Sequence, residues 1–122
     1  MPKLDIIGSW TLIRHGIVSP DGNFTPTGSE MDGQLMYTND GTMSVFITKT
    51  STPSTLTDII AYSGTFTITD SHVIHHLRVT IQKERKGSNE IRIASREGSV
   101  LTLKTEPTAQ GYYEIVWQLI EH

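Results

Sequence analysis

Apolar and polar residues alternate along most of the chain. From position 60, Ile60, Tyr62, Gly64, Phe66 and Ile68 share one parity, and Ala61, Ser63, Thr65 and Thr67 the other. Further on, Val73, His75, Leu77, Val79 and Ile81 oppose His72, Ile74, His76, Arg78 and Thr80. Leu101 and Leu103 oppose Thr102 and Lys104, and Tyr113, Ile115, Trp117 and Leu119 oppose Tyr112, Glu114 and Gln118. Period-two alternation is the mark of a strand with one dry face. The pattern predicts eight strands, near 9–18, 33–38, 42–48, 58–68, 72–82, 89–96, 99–105 and 111–120.

Turn chemistry separates the runs. Asn39-Asp40-Gly41 is a strong hairpin signal, and Thr69-Asp70-Ser71 and Glu97-Gly98-Ser99 mark two more. Short turns between strands indicate an antiparallel sandwich or barrel. No amphipathic helix is long enough to cover the dry face. An all-β, eight-stranded, up-and-down antiparallel barrel buries that face and also removes the sheet edges. Its interior holds side chains or one small ligand. The irregular stretches 19–32 and 49–57 are expected at one mouth, as access loops or as plain connections.

Composition agrees. The 122 residues include 17 Thr, 14 Ile and 6 Val but only 3 Ala, which suits pleated sheet and not a helix bundle. The length suits one domain over 1–122. Net charge is −3, so nucleic acid is a poor partner. Without Cys, disulfides, thiolate nucleophiles and Cys-ligated zinc are excluded. No segment reads as a signal peptide or a membrane span, so a cytoplasmic protein is expected. No cofactor is expected, and the oligomeric state stays open, a homodimer included.

The chain resembles a lipocalin-like domain family of small bacterial and fungal proteins within the lipocalin (calycin) superfamily. Gly8-Ser9-Trp10 opens the first strand as the superfamily's Gly-x-Trp triplet does. The run from Gly33 through Leu35, Tyr37, Asp40-Gly41 and Met43-Ser44-Val45 is similar to that family's second hairpin. Ala61-Tyr62-Ser63-Gly64-Thr65-Phe66 and Val73-Ile74-His75-His76 resemble its next two strands, and Ile91-Arg92, Leu101 to Thr105 and Trp117 complete the order. The resemblance implies a barrel that binds a small, mostly hydrophobic molecule in its lumen. It also implies relatives that act as isomerases or cyclases in biosynthetic pathways. It places Trp10 at the closed end, stacked under an arginine. Two segments depart from the family pattern: Gln82-Lys83-Glu84-Arg85 replaces an apolar stretch, and 49–57 is short.

Three histidines invite a metal reading, which strand geometry opposes. His75 and His76 face opposite ways, while His72 and His76 sit about 13 Å apart along a strand. Zinc–nitrogen bonds are near 2 Å, so no metal site is expected. His75 has lumenal parity. It is either a hydrogen-bonded core histidine or a group that orients a ligand or moves a proton. Tyr62 and Tyr37 share the dry faces of their strands, and buried phenols need partners. In an isomerase His75 would be the acid–base group and Tyr62 the donor. The ligand-binding candidates are Tyr37, Val45, Tyr62, Phe66, His75, Leu77, Arg92 and Trp117. Arg14 shares parity with Trp10 and Leu12, whereas Arg92 alternates with Ile91 and Ile93 and so reads as outward unless a bulge intervenes. One of the two arginines is a candidate lumenal group. The run Lys83 to Lys86 reads as a solvated turn.

Overall fold

The computed structural model describes residues 4–26, 31–49 and 59–120. At Asn39-Asp40-Gly41 the chain reverses, and Gly41 takes φ +89°, a left-handed conformation that side chains resist. The Thr38 N–H bonds the Thr42 carbonyl at 2.9 Å and closes the hairpin. This turn joins β3 (Met31–Tyr37) to β4 (Thr42–Lys49), with Leu35 opposite Val45.

The other strands are β1 (Gly8–Val18), β2 (Phe24–Pro26), β5 (Ile60–Ile68), β6 (His72–Thr80), β7 (Asn89–Glu97), β8 (Val100–Lys104) and β9 (Tyr112–Leu119). Each strand from β3 to β9 pairs antiparallel with the next, and β9 returns to pair with β1 from Trp10↔Leu119 to Val18↔Tyr112. The result is the expected closed, eight-stranded, up-and-down barrel. The short β2 is an addition that the sequence pattern did not reveal. It continues the edge that β3 leaves open beside the second half of β1. Three residues with no apolar alternation carry too little periodicity to be read as a strand.

Two bulges break the parity, and both matter for the site. Between Leu12 and Arg14 the register of β1 against β9 shifts, so Ile13 is the extra residue. Between Ser63 and Gly64 the register against β6 shifts by one, leaving Arg78 extra. A bulged residue moves everything beyond it to the other face. Val79, expected inside with Leu77, is therefore 67% exposed. A side chain on Gly64 would sit 1.9 Å from the His76 carbonyl oxygen, which is why this strand crossing carries a glycine.

The two ends of the barrel differ. At one end lie the tight turns after β3, β5 and β7. There Ile6, in the chain before β1, is fully buried, and the Trp10 indole N–H donates to the Ile6 carbonyl at 3.0 Å. Arg96 lies 5.2 Å over the Trp10 ring and donates from Nη1 to the Asp5 carbonyl at 2.9 Å. This is the closed end, with the arginine stacked on Trp10. The longer connections leave from the opposite rim, where β1, β4, β6 and β8 end. Residues 19–26 leave from that rim, whereas residues 27–30 and 50–57 of the two stretches expected there lie outside the described ones. Among the described residues, no helix is long and apolar enough to cross a membrane.

Candidate functional site

A cavity of about 260 Å³ opens between the core and the wide rim. Its apolar wall includes Leu35, Val45, Ile47, Ile60, Leu103, Ile115 and Trp117. Its polar groups are concentrated in Tyr62, His75, Arg85 and Arg92, with His15, Thr105 and Tyr113 also on the wall.

His75, only 3% exposed, sits between two phenols. The Tyr37 hydroxyl is 2.5 Å from His75 Nε2, and the Tyr62 hydroxyl is 2.7 Å from His75 Nδ1. The hairpin of β5 and β6 places Tyr62 and His75 near one another, and β3 brings Tyr37 from across the barrel. Burial pushes the His75 pKa down to about 3, helped by the Arg92 guanidinium and by His76. The ring is therefore neutral near pH 7, with one nitrogen donating and one accepting. Burial likewise raises the Tyr62 pKa to about 12 and holds Tyr37 well above the usual phenol value.

Five of the sequence candidates meet at this cavity: Val45, Tyr62, His75, Arg92 and Trp117. Three do not line it. Tyr37 stands behind His75, with Phe66 packed edge-on against its ring at 4.8 Å between centroids. Leu77 is buried but lies off the cavity wall. Tyr37, Phe66 and Leu77 support the site rather than line it.

The arginines reverse the parity expectation. Ile13 bulges out of β1, so Arg14 turns outward. It is exposed there, 3.4 Å from Glu114 and stacked on Phe24. His15 takes the inward position, and no alternation signal could have revealed that. In β7 the inward face carries Glu90, Arg92, Ala94 and Arg96, Glu90 lying opposite His75, while Ile91 is 48% exposed. Apolar Ile91 pulled the reading of that strand the wrong way.

Arg85 corrects another expectation. The charged run forms a 3₁₀ turn, Lys83–Arg85, and Arg85 folds back over the Tyr62 ring at 5.6 Å. Arg85 forms a close ion pair with Glu90, whose second oxygen lies 3.6 Å from Arg92 Nη2. The other two histidines of β6 point away from the lumen. His72 contacts Glu106 at 2.9 Å, and His76 lies between Thr67 and Asn89. Trp117 contributes a feature that its type alone did not announce: its buried indole N–H has no hydrogen-bond partner among the described residues.

The profile of a family described as a lipocalin-like domain matches residues 7–57. It is the same family that the sequence motifs resemble. Over those residues the chain is similar to that family, and the closed eight-stranded barrel is consistent with a lipocalin-like fold. The matched stretch carries Trp10, Leu35, Tyr37 and Val45, whereas Tyr62, His75 and Arg92 lie beyond it and are placed by geometry. No curated protein matches the chain in sequence.

Proposed function

We propose that the protein binds a small, mostly hydrophobic molecule in the barrel lumen. The observation that carries this is the 260 Å³ cavity, with an apolar wall of Leu35, Val45, Ile47, Ile60, Leu103, Ile115 and Trp117 and polar groups gathered mainly about Tyr62, His75, Arg85 and Arg92. Ligand sites have this apolar wall and sparse polar lining. A cavity of about 150 Å³ takes one benzene ring. The present volume suits a molecule of one or two rings, or a short chain. Burying about 150–250 Å² of ring at about 25 cal/mol per Å² contributes roughly 4–6 kcal/mol.

The isomerase or cyclase reading draws on the same Tyr–His–Tyr chain. Its weakness is the acid–base group. General catalysis works best when the catalytic pKa lies near the working pH. With a pKa of about 3, His75 is a weak proton acceptor at pH 7, and its charged form is scarce. That favours His75 as an orienting group, and binding over turnover.

Calorimetric titration with 2-naphthol tests the reading. Saturable one-to-one binding is expected. It should be lost in Ile115→Trp, which fills the cavity, provided that variant keeps the far-ultraviolet circular dichroism of the parent. Equal binding by parent and variant, or none by the parent, would contradict it.

A further inference from the structure

The hydrogen-bond chain in the lumen has a direction. Tyr37 is 1% exposed and off the cavity wall, and its hydroxyl bonds only to His75 Nε2 among the described residues. If it merely accepted there, its own hydrogen would be buried without an acceptor, at a cost of about 1–3 kcal/mol. Tyr37 therefore donates to Nε2. His75 Nδ1 then carries the ring proton and donates to the Tyr62 oxygen. The hydrogen of the Tyr62 hydroxyl is left over, and Tyr62 stands on the cavity wall.

Two guanidinium groups share that wall. Arg85 and Arg92 both line the cavity, and among the described residues no carboxylate does. Glu90, off the wall, faces both arginines. Its close contact is with Arg85, whereas Arg92 is 3.6 Å away, too far for a hydrogen bond. Arg92 otherwise spends one donor on the Ile91 carbonyl, at 2.9 Å. A guanidinium has five N–H donors, so most of those on Arg92 are unspent. One carboxylate against two cations leaves a positive charge over.

We infer that the ligand of this cavity carries a carboxylate head group, held by the Tyr62 hydroxyl and the Arg92 guanidinium, on an apolar body that fills the aliphatic remainder. The inference rests on the reading of the lumen as a ligand site. A carboxylate matches both features: it accepts the leftover phenol hydrogen and the unspent guanidinium donors, and it balances the charge. A neutral carbonyl can accept both kinds of hydrogen but leaves the charge unbalanced.

Three probes of one shape separate these cases: trans-cinnamate, cinnamamide and cinnamyl alcohol, titrated calorimetrically at pH 7. Cinnamate is expected to bind at least about tenfold more tightly than the alcohol, since hydrogen bonds to charged groups are the stronger ones. Arg92→Gln should bring cinnamate down to the affinity of cinnamamide. Arg92→Lys, which keeps the charge but loses the fork, should fall between. Equal binding of all three probes by the unmodified protein overturns the head-group assignment while the lumen reading stands. Failure of all three to bind removes both. The comparison on the unmodified protein decides the matter even where a variant does not fold.

Discussion

Tyr37 and His75 lie far apart in sequence, yet their side chains meet inside the barrel at 2.5 Å. This contact fixes which nitrogen of His75 accepts. The proton is thereby assigned to Nδ1, and Tyr62 becomes the group that offers a donor to the cavity. In ¹⁵N spectra of histidine-labelled protein at pH 7, His75 should appear as the neutral Nδ1–H tautomer. In Tyr37→Phe the buried Nε2 loses its donor, and stability should fall by about 1–3 kcal/mol in urea unfolding. An Nε2–H tautomer in the parent would contradict the assignment.

Acid should weaken the fold through His75. Its folded pKa of about 3 lies below the ordinary histidine value of 6.5. The unfolded chain therefore binds the proton first as pH falls. The stability is fully present above about pH 6.5 and is lost progressively toward pH 3, with a slope approaching about 1.4 kcal/mol per pH unit. His15, also lowered by burial, acts with the same sign. Urea unfolding at a series of pH values should show a shallower slope in His75→Gln than in the parent. Identical slopes would show that His75 titrates alike in both states.

The two tryptophans should respond unequally to the same change. Both are buried, but the Trp10 N–H bonds the Ile6 carbonyl while the Trp117 N–H has no partner among the described residues. Trp10→Phe removes a bond and strands a carbonyl, whereas Trp117→Phe removes an unsatisfied donor. Trp117→Phe is expected to cost less than Trp10→Phe by about 1–3 kcal/mol. Trp10→Ala should cost about 3–5 kcal/mol, the usual loss for a buried aromatic. Equal costs for the two Phe variants in urea unfolding would mean that the Trp117 N–H is satisfied in solution.

Gly64 should tolerate no side chain. The Cβ of Gly64→Ala would meet the His76 carbonyl at 1.9 Å, so β5 and β6 would have to part at the bulge. A loss of about 1–3 kcal/mol or more is expected, as for overpacking. Gly22→Ala, where nothing lies within 4 Å but φ is +91°, isolates the backbone cost alone. The comparison is read from thermal unfolding midpoints, with the Gly64 variant lower.

The barrel itself was legible because alternation is a local signal that repeats in every strand. The hairpin at Asn39 to Gly41 and the lumenal parity of Tyr62 and His75 followed directly from it. The errors cluster where one residue bulges out of register. Arg14 and Val79 each lie just past a bulge and turn outward, and His15 turns inward for the same reason. A bulge depends on how two strands cross, which parity within one strand does not contain. The parity of Arg92 pointed outward because it alternates with isoleucines, and Ile91, exposed on the barrel wall, mimics a buried face. Arg85 was legible only as charge, since its contact with Tyr62 depends on the fold of a short turn. That Trp117 Nε1 finds no partner among the described residues is a property of packing and leaves no mark on sequence.

The most direct measurement is where a bound probe sits. With 2-naphthol at saturation, nuclear Overhauser contacts are predicted from its ring protons to the methyl groups of Leu35, Val45, Ile47 and Ile115, which face the cavity. Contacts instead to Met36, Phe46 and Val79, which are exposed on the outer face, would contradict the account.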